Sequence, residues 1–191
     1  MPLRTEDGRP HPQALLSRIS SEEPGSRGRL KVFLGYAAGV GKTYSMLKAG
    51  HQQLEQGVRV LLGLVETHNR PDTHALLEGL PLLPRQNGEF DLDGCLELKP
   101  ELVLVDELAH SNPPGARHPK RYQDVEEVLN AGIDVYTTVN VQHLESLNDA
   151  VWQVTGVKVR ETIPDTFLDR ADSISLIDLP PDELLSRLRE G

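Results

Sequence analysis

Residues 33–47 read FLGYAAGVGKTYSML, and the reading of this stretch decides the fold. A short apolar run closes on glycine, and Gly39, Val40, Gly41, Lys42 and Thr43 then open a segment with helical spacing that includes Tyr44. Binding phosphate requires backbone N–H groups that converge on an anion and a helix N-terminus aimed at it. It also requires a lysine for the outer phosphates and a hydroxyl for Mg2+. Gly39 and Gly41 permit the tight turn, Lys42 is the cation and Thr43 the hydroxyl. The first glycine of the G-x-x-x-x-G-K-[ST] pattern is missing, because Tyr36 stands in its place and Gly35 comes one position early. The chain must therefore start the loop without a left-handed residue, or use Gly35 for the bend. The bland alternative is a strand–helix turn with an incidental lysine. The half of the motif at the helix start is intact, so the stretch predicts a nucleotide site formed by residues 39–44, with Tyr36 at its lip.

Outward from this loop, the pattern repeats. LKVFL (30–34) precedes it as a buried strand, and Met46, Leu47 and Leu54 follow it on one helical face that Gly57 ends. VRVLLGLV (58–65), LVLVDE (102–107), DVYTTVN (134–140) and ISLID (174–178) read as further strands. Between them, THALLEGL and DLDGCLEL read as short helices and 122–130 as a longer one stopping at Gly132. A further helix carries Leu144, Leu147, Val151 and Val154 on one stripe and ends at Gly156. PPDELLSRLRE reads as a terminal helix with Pro181 at its start. Strands that are apolar throughout, separated by helix-sized segments, predict a P-loop NTPase-like α/β fold: a parallel sheet of about five strands with helices on both faces. Residues 1–28 mix Pro, Gly, Ser and charge around a short ALLSRI and read as a polar, partly disordered leader; 29–191 reads as one nucleotide-binding regulatory domain.

The 191 residues carry 29 acidic and 20 basic side chains, a formal charge of −9, which argues against a general nucleic-acid binder. Cys95 is the single cysteine, so neither an internal disulfide nor a multi-cysteine zinc site is available. No apolar run approaches 18 residues, and the N-terminus lacks the apolar core of a secretory signal. These features read as a cytoplasmic domain that requires no membrane contact of its own.

In such a sheet, ligands bind at the carboxyl ends of the strands, so the polar residues closing each strand become the candidates. Asp106 is placed to hold the Mg2+ water shell with Thr43, and Glu107 beside it to act as a base; an Asp at a strand end is otherwise a loop cap. Glu66 and His68, after the second strand, suit water positioning or sensing, or a polar turn capped by Asp72 and Thr73. His68 and His74 lack the i, i+4 spacing of a helical metal site, so Mg2+ is expected only through a nucleotide. Arg117, Lys120 and Arg121 form a dense basic cluster. Arg117 and Arg121 could stabilise phosphate charge, the cluster could meet an anionic partner, or it could line a solvated loop. Asn140, closing the fourth strand with Thr137 and Thr138, could report the terminal phosphate or cap the following helix.

The segment 28–191 resembles the N-terminal cytoplasmic domain of the KdpD family of bacterial potassium/osmosensitive sensor histidine kinases. The resemblance is carried by KVFLGYAAGVGKTYSML, VETHNRPDT, DELAHSNPPGARHPKRYQDVEE, AGIDVYTTVNVQHLESLND and VRETIPD. It implies an ATP-binding regulatory module whose nucleotide state modulates the kinase/phosphatase output of a longer, membrane-anchored sensor. Its implied partners are the other cytoplasmic domains of that sensor and its response regulator. It also implies a small residue near position 36, from which Tyr36 departs. The chain holds no histidine-kinase core, and none of its histidines is a phosphorelay candidate. An alternative makes the domain an ATPase or a protein kinase in its own right through the phosphate loop and Asp106–Glu107. A GTPase is disfavoured, since no N-K-x-D segment is present to read guanine.

Overall fold

The computed structural model describes residues 27–179 together with Glu183, Leu185 and Ser186. The elements are β1 (Leu30–Gly35), α1 (Lys42–Glu55), β2 (Val60–Leu64), α2 (Pro71–Ala75), α3 (Leu92–Leu98) and β3 (Leu102–Val105). They continue with α4 (Arg121–Asn130), β4 (Asp134–Asn140), a 3-10 turn at Val141–His143, α5 (Glu145–Thr155), α6 (Asp165–Leu168) and β5 (Ser173–Ile177). Every strand pairing is parallel, and the order across the sheet is β2-β3-β4-β1-β5.

Strand pleating sends alternate residues to two separate cores. Val32, Val103, Val105 and Val135 pack on one face with Val125, Val128 and Leu129 of α4. Phe33, Leu102 and Leu104 pack on the other with Met46 and Leu47 of α1. β3 is buried at all four positions, which explains why its sequence is continuously apolar instead of alternating. The five-stranded parallel α/β architecture expected from the sequence is the one observed, with helices on both faces.

Three details depart from the expected elements. α2 starts at Pro71, before THALLEGL, because proline at the first helical position presets φ and has no N–H to leave unpaired. β3 ends at Val105, although the Asp106 N–H still donates to the Leu64 carbonyl of β2 at 2.9 Å. The stripe on α5 is not a core face: Leu144, just before the helix, packs on the core, but α5 itself buries no residue and Val154 is 87% exposed. The helix is tethered at its start instead, where the Glu145 N–H donates to the Ile163 carbonyl at 3.2 Å. The expected terminal helix lies largely outside the described residues, although Glu183, Leu185 and Ser186 are helical. Residues 1–26 of the expected leader also lie outside them. Gly28 is buried, and its N–H donates to the Leu129 carbonyl at 2.7 Å. Among the described residues, no helix is long and apolar enough to cross a membrane.

For function, the strand order matters most. β4 lies between β1 and β3, with Gly35 beside Asn140 and Val105 beside Thr137. The loop after β1 and the acidic pair after β3 therefore flank the carboxyl end of β4.

Candidate functional site

The loop from β1 to α1 turns on glycines. Gly39 (φ 89°) and Gly41 (φ 100°) lie in the left-handed region, where a Cβ is strained. Gly41 caps α1, whose first turn carries no acidic residue to compete with an anion at its positive end. Gly35 does not supply the bend. It is the last residue of β1, and a Cβ there would lie 2.7 Å from both Lys42 Cδ and Val40 Cγ2. The early glycine thus makes room for the lysine stem to cross the strand end. Tyr36, 57% exposed, projects from the lip. The Lys42 ammonium donates to the Ala37 carbonyl at 3.0 Å. Burial lowers its proton affinity, which Asp106 and Glu107 partly restore and Arg70 lowers further.

Asp106, 1% exposed, is gripped from four directions. Its Oδ2 accepts from Thr43 Oγ1 at 3.0 Å and from the Glu66 N–H at 3.1 Å. Its Oδ1 accepts from the Glu107 N–H at 3.1 Å and from the Thr138 hydroxyl. Thr138 also accepts from the Glu107 N–H at 3.0 Å, so β4 clamps the acidic pair directly. Asn140 lines the same space, and its Oδ1 is buried without a partner among the described residues.

Glu107 adopts φ 56°, an uncommon conformation for a residue with a Cβ. Burial and the neighbouring Asp106 raise its proton affinity, against the opposing pull of Arg121 and His68. His68 Nε2 stands 3.6 Å from its carboxylate. A carboxyl whose folded-state pKa is raised holds its proton more tightly in the folded state. Stability is therefore lost as pH rises from the ordinary glutamate range through that raised value. Glu107→Gln should melt no lower than the wild type at pH 7, and the difference should vanish near pH 3, below the ordinary glutamate range, where the carboxyl is protonated in both states. Thermal melts at the two pH values check this; a lower melting point for Glu107→Gln at pH 7 would refute it.

These groups surround a cavity of about 310 Å3. Gly39, Gly41, Lys42, Thr43, Tyr44, Glu66, His68, Asp106, Glu107, Thr138 and Asn140 line it, whereas Val40, Arg117, Lys120, Arg121 and Thr137 do not. Val40 is buried. Arg121 is only 2% exposed and braces the acidic pair from behind. Its Nη1 donates to the Asp106 and Glu107 carbonyls at 3.2 and 3.3 Å, and its Nη2 to Glu89 Oε2 at 2.8 Å. Arg117 lies on a separate groove, where Asp93 and Glu127 neutralise it. The role of phosphate-facing charge assigned to these two arginines is corrected: a dense basic run does not say where each guanidinium points, and the first turn of α4 turns Arg121 inward.

Sequence reading passed over Arg70, His110, His143 and Glu161, which also line the cavity. The Ser111 N–H donates to Glu161 Oε1 at 2.8 Å, and His143 Nδ1 lies 2.7 Å from the Glu161 carbonyl. These contacts tie the loop after β3 and the 3-10 turn after β4 to the segment after α5. Arg70 stood in the polar cluster already noted after the second strand, which was the available signal.

A family model described as the KdpD osmosensitive K+ channel His kinase sensor domain matches residues 26–191. The chain belongs to the KdpD family. It is 56% identical over 197 residues to sensor protein KdpD of Escherichia coli K12, covering 99% of this chain and 22% of that protein. Sensor protein KdpD of Clostridium acetobutylicum is 54% identical, with 96% of this chain and 21% of its own length covered. The chain therefore spans about a fifth of the length of these curated KdpD relatives. Among solved structures, the signal recognition particle receptor FtsY from Elizabethkingia anophelis aligns over 93% of this chain and 54% of its own, with a TM-score of 0.35 and 15% identity. Within the KdpD family, this chain corresponds to the sensor domain of a two-component histidine kinase.

Proposed function

We propose that this domain binds ATP with Mg2+ and that its nucleotide state modulates the kinase/phosphatase output of a full-length KdpD sensor responding to potassium limitation or osmotic stress. The observation that carries the reading is the contact between Thr43 Oγ1 and Asp106 Oδ2 at 3.0 Å, which joins the start of α1 to the end of β3. Mg2+ is a hard cation that prefers oxygen ligands, and this hydroxyl–carboxylate pair is a donor set of that chemistry. The unpartnered Asn140 Oδ1 nearby offers a further acceptor. When bound, Mg2+ would offset the charge of the outer phosphates. Gly39, Gly41, Lys42 and Thr43 would hold those phosphates, and Tyr44 would lie beside them on the first turn of α1.

Two loops touch the acidic pair and are suited to transmit occupancy. The 66–72 loop reaches it through the Glu66 N–H and His68. The 110–121 segment reaches it through Arg121. Their outer surfaces are the proposed contacts with the other cytoplasmic domains of the sensor and with its response regulator.

Titrating the chain calorimetrically with ATP, ADP and GTP, with and without Mg2+, tests the reading. Mg2+-dependent ATP binding is the expected result, and no heat with any nucleotide overturns it. A second reading, in which the domain is itself an ATPase or protein kinase, is favoured by Glu107, whose raised proton affinity suits a proton acceptor. Steady phosphate release that disappears in Glu107→Gln while ATP still binds would support it.

A further inference from the structure

We infer that Arg70 recognises the terminal phosphate of a nucleoside triphosphate, delivered in cis by the loop between β2 and α2; this rests on the nucleotide reading above. Among the residues lining the cavity, Lys42 is the one lysine and Arg70 the one arginine. The other arginines near the site are already engaged. Arg85 is paired with Glu66, Arg117 with Asp93 and Glu127, and Arg121 with Glu89. Arg70 has no carboxylate partner among the described residues. Its recorded side-chain bond is from Nη1 to the Gly39 carbonyl, 3.2 Å away. A guanidinium presents five N–H donors in a planar fork, so this bond leaves donors available at the rim of the phosphate loop.

The backbone around Arg70 is shaped to bring it there. His68 (φ 49°) and Asn69 (φ 58°) are consecutive left-handed residues, and the Arg70 N–H closes the turn onto the Thr67 carbonyl at 3.0 Å. Pro71 then starts α2 at once. The turn folds the loop back from the β2 edge of the sheet across to Gly39. The sheet order gives the direction its meaning. The β2 edge lies beyond β3, on the side of Asp106 and Glu107 away from β1. Phosphates that start at the α1 N-terminus and extend toward the acidic pair would meet Arg70 at their outer end. Lys42 and Arg70 both line this space, and two like charges held close together carry a repulsive cost. A polyanion between them removes that cost.

The recognition should appear as discrimination between triphosphate and diphosphate. Equilibrium binding of Mg·ATP and Mg·ADP would be measured for the wild-type chain, Arg70→Gln and Arg70→Lys. Glutamine keeps an N–H donor for the Gly39 carbonyl but carries no charge. ATP affinity should fall about tenfold in Arg70→Gln, in line with loss of one charge-assisted hydrogen bond, while ADP affinity changes little. Arg70→Lys should recover part of the loss. If ATP and ADP weaken together, Arg70 only braces the loop and the inference is overturned. It is likewise overturned, alone, if the wild type binds ATP and Arg70→Gln leaves the ATP-to-ADP ratio unchanged. A wild-type chain that binds neither nucleotide overturns the nucleotide reading and this inference with it.

Discussion

Lys42→Met is expected to weaken Mg·ATP binding by at least about 100-fold, or about 2.8 kcal/mol at 1.4 kcal/mol per decade. The ammonium is the cation nearest the α1 N-terminus, and a lysine contact to outer phosphates is a charge-assisted interaction in a partly water-excluded site. Methionine retains an unbranched stem that can cross Gly35, where there is no Cβ to obstruct it. The fold should not suffer. Burial lowers the proton affinity of Lys42, so its charge is a burden to the folded state at neutral pH, and a neutral side chain removes that burden. Titration calorimetry beside a thermal melt separates the two effects. Unchanged Mg2+-dependent binding in Lys42→Met would sink the assignment of this loop as the phosphate site.

Arg121→Ala should have the largest effect on stability, about 3 kcal/mol. Removing one member of a buried, hydrogen-bonded charge pair typically costs about 3–5 kcal/mol, and the partial exposure of its partner Glu89 argues for the lower end. The substitution strips donors from the Asp106 and Glu107 carbonyls and leaves Glu89 without its guanidinium. At about 2–4 °C per kcal/mol for a domain of this size, the melting temperature should drop by about 6–12 °C. Arg121→Lys should recover only part of this, because an ammonium cannot fork between the two carbonyls and the carboxylate. A variant that melts like the wild type but loses ATP affinity would show instead that Arg121 faces the ligand.

These two residues illustrate what could be read from the sequence. The loop that carries Lys42 was legible because its geometry depends on local chemistry: glycines that must turn, a strand before and a helix after. Leu102–Val105 was legible because a strand covered on both faces leaves no alternation, and Asp106 because polarity begins abruptly where the strand ends. Strand order was not legible, since nothing in LVLVDE or DVYTTVN states which strand lies beside which. The clamp of Thr138 on Asp106 and Glu107 depends on that order. Orientation was also hidden. Arg117, Lys120 and Arg121 share one basic run, yet Arg121 is buried and Arg117 is neutralised on another groove. Arg70 looked like part of a capped polar turn, but α2 begins without a side-chain cap, and the left-handed pair at His68 and Asn69 turns that segment toward Gly39 in the loop after β1. The α5 stripe shows the same limit. Periodicity identifies an apolar face but not what, if anything, packs on it.

The hydrogen bond from Lys42 to the Ala37 carbonyl uses one of the three donors of an ammonium. Two donors remain, so under the nucleotide reading an incoming phosphate need not displace the acceptor that the chain itself provides. The internal bond would then act as a guy-rope, holding the lysine head at the strand end before any ligand arrives. Part of the ordering cost of binding would already be met in the empty loop.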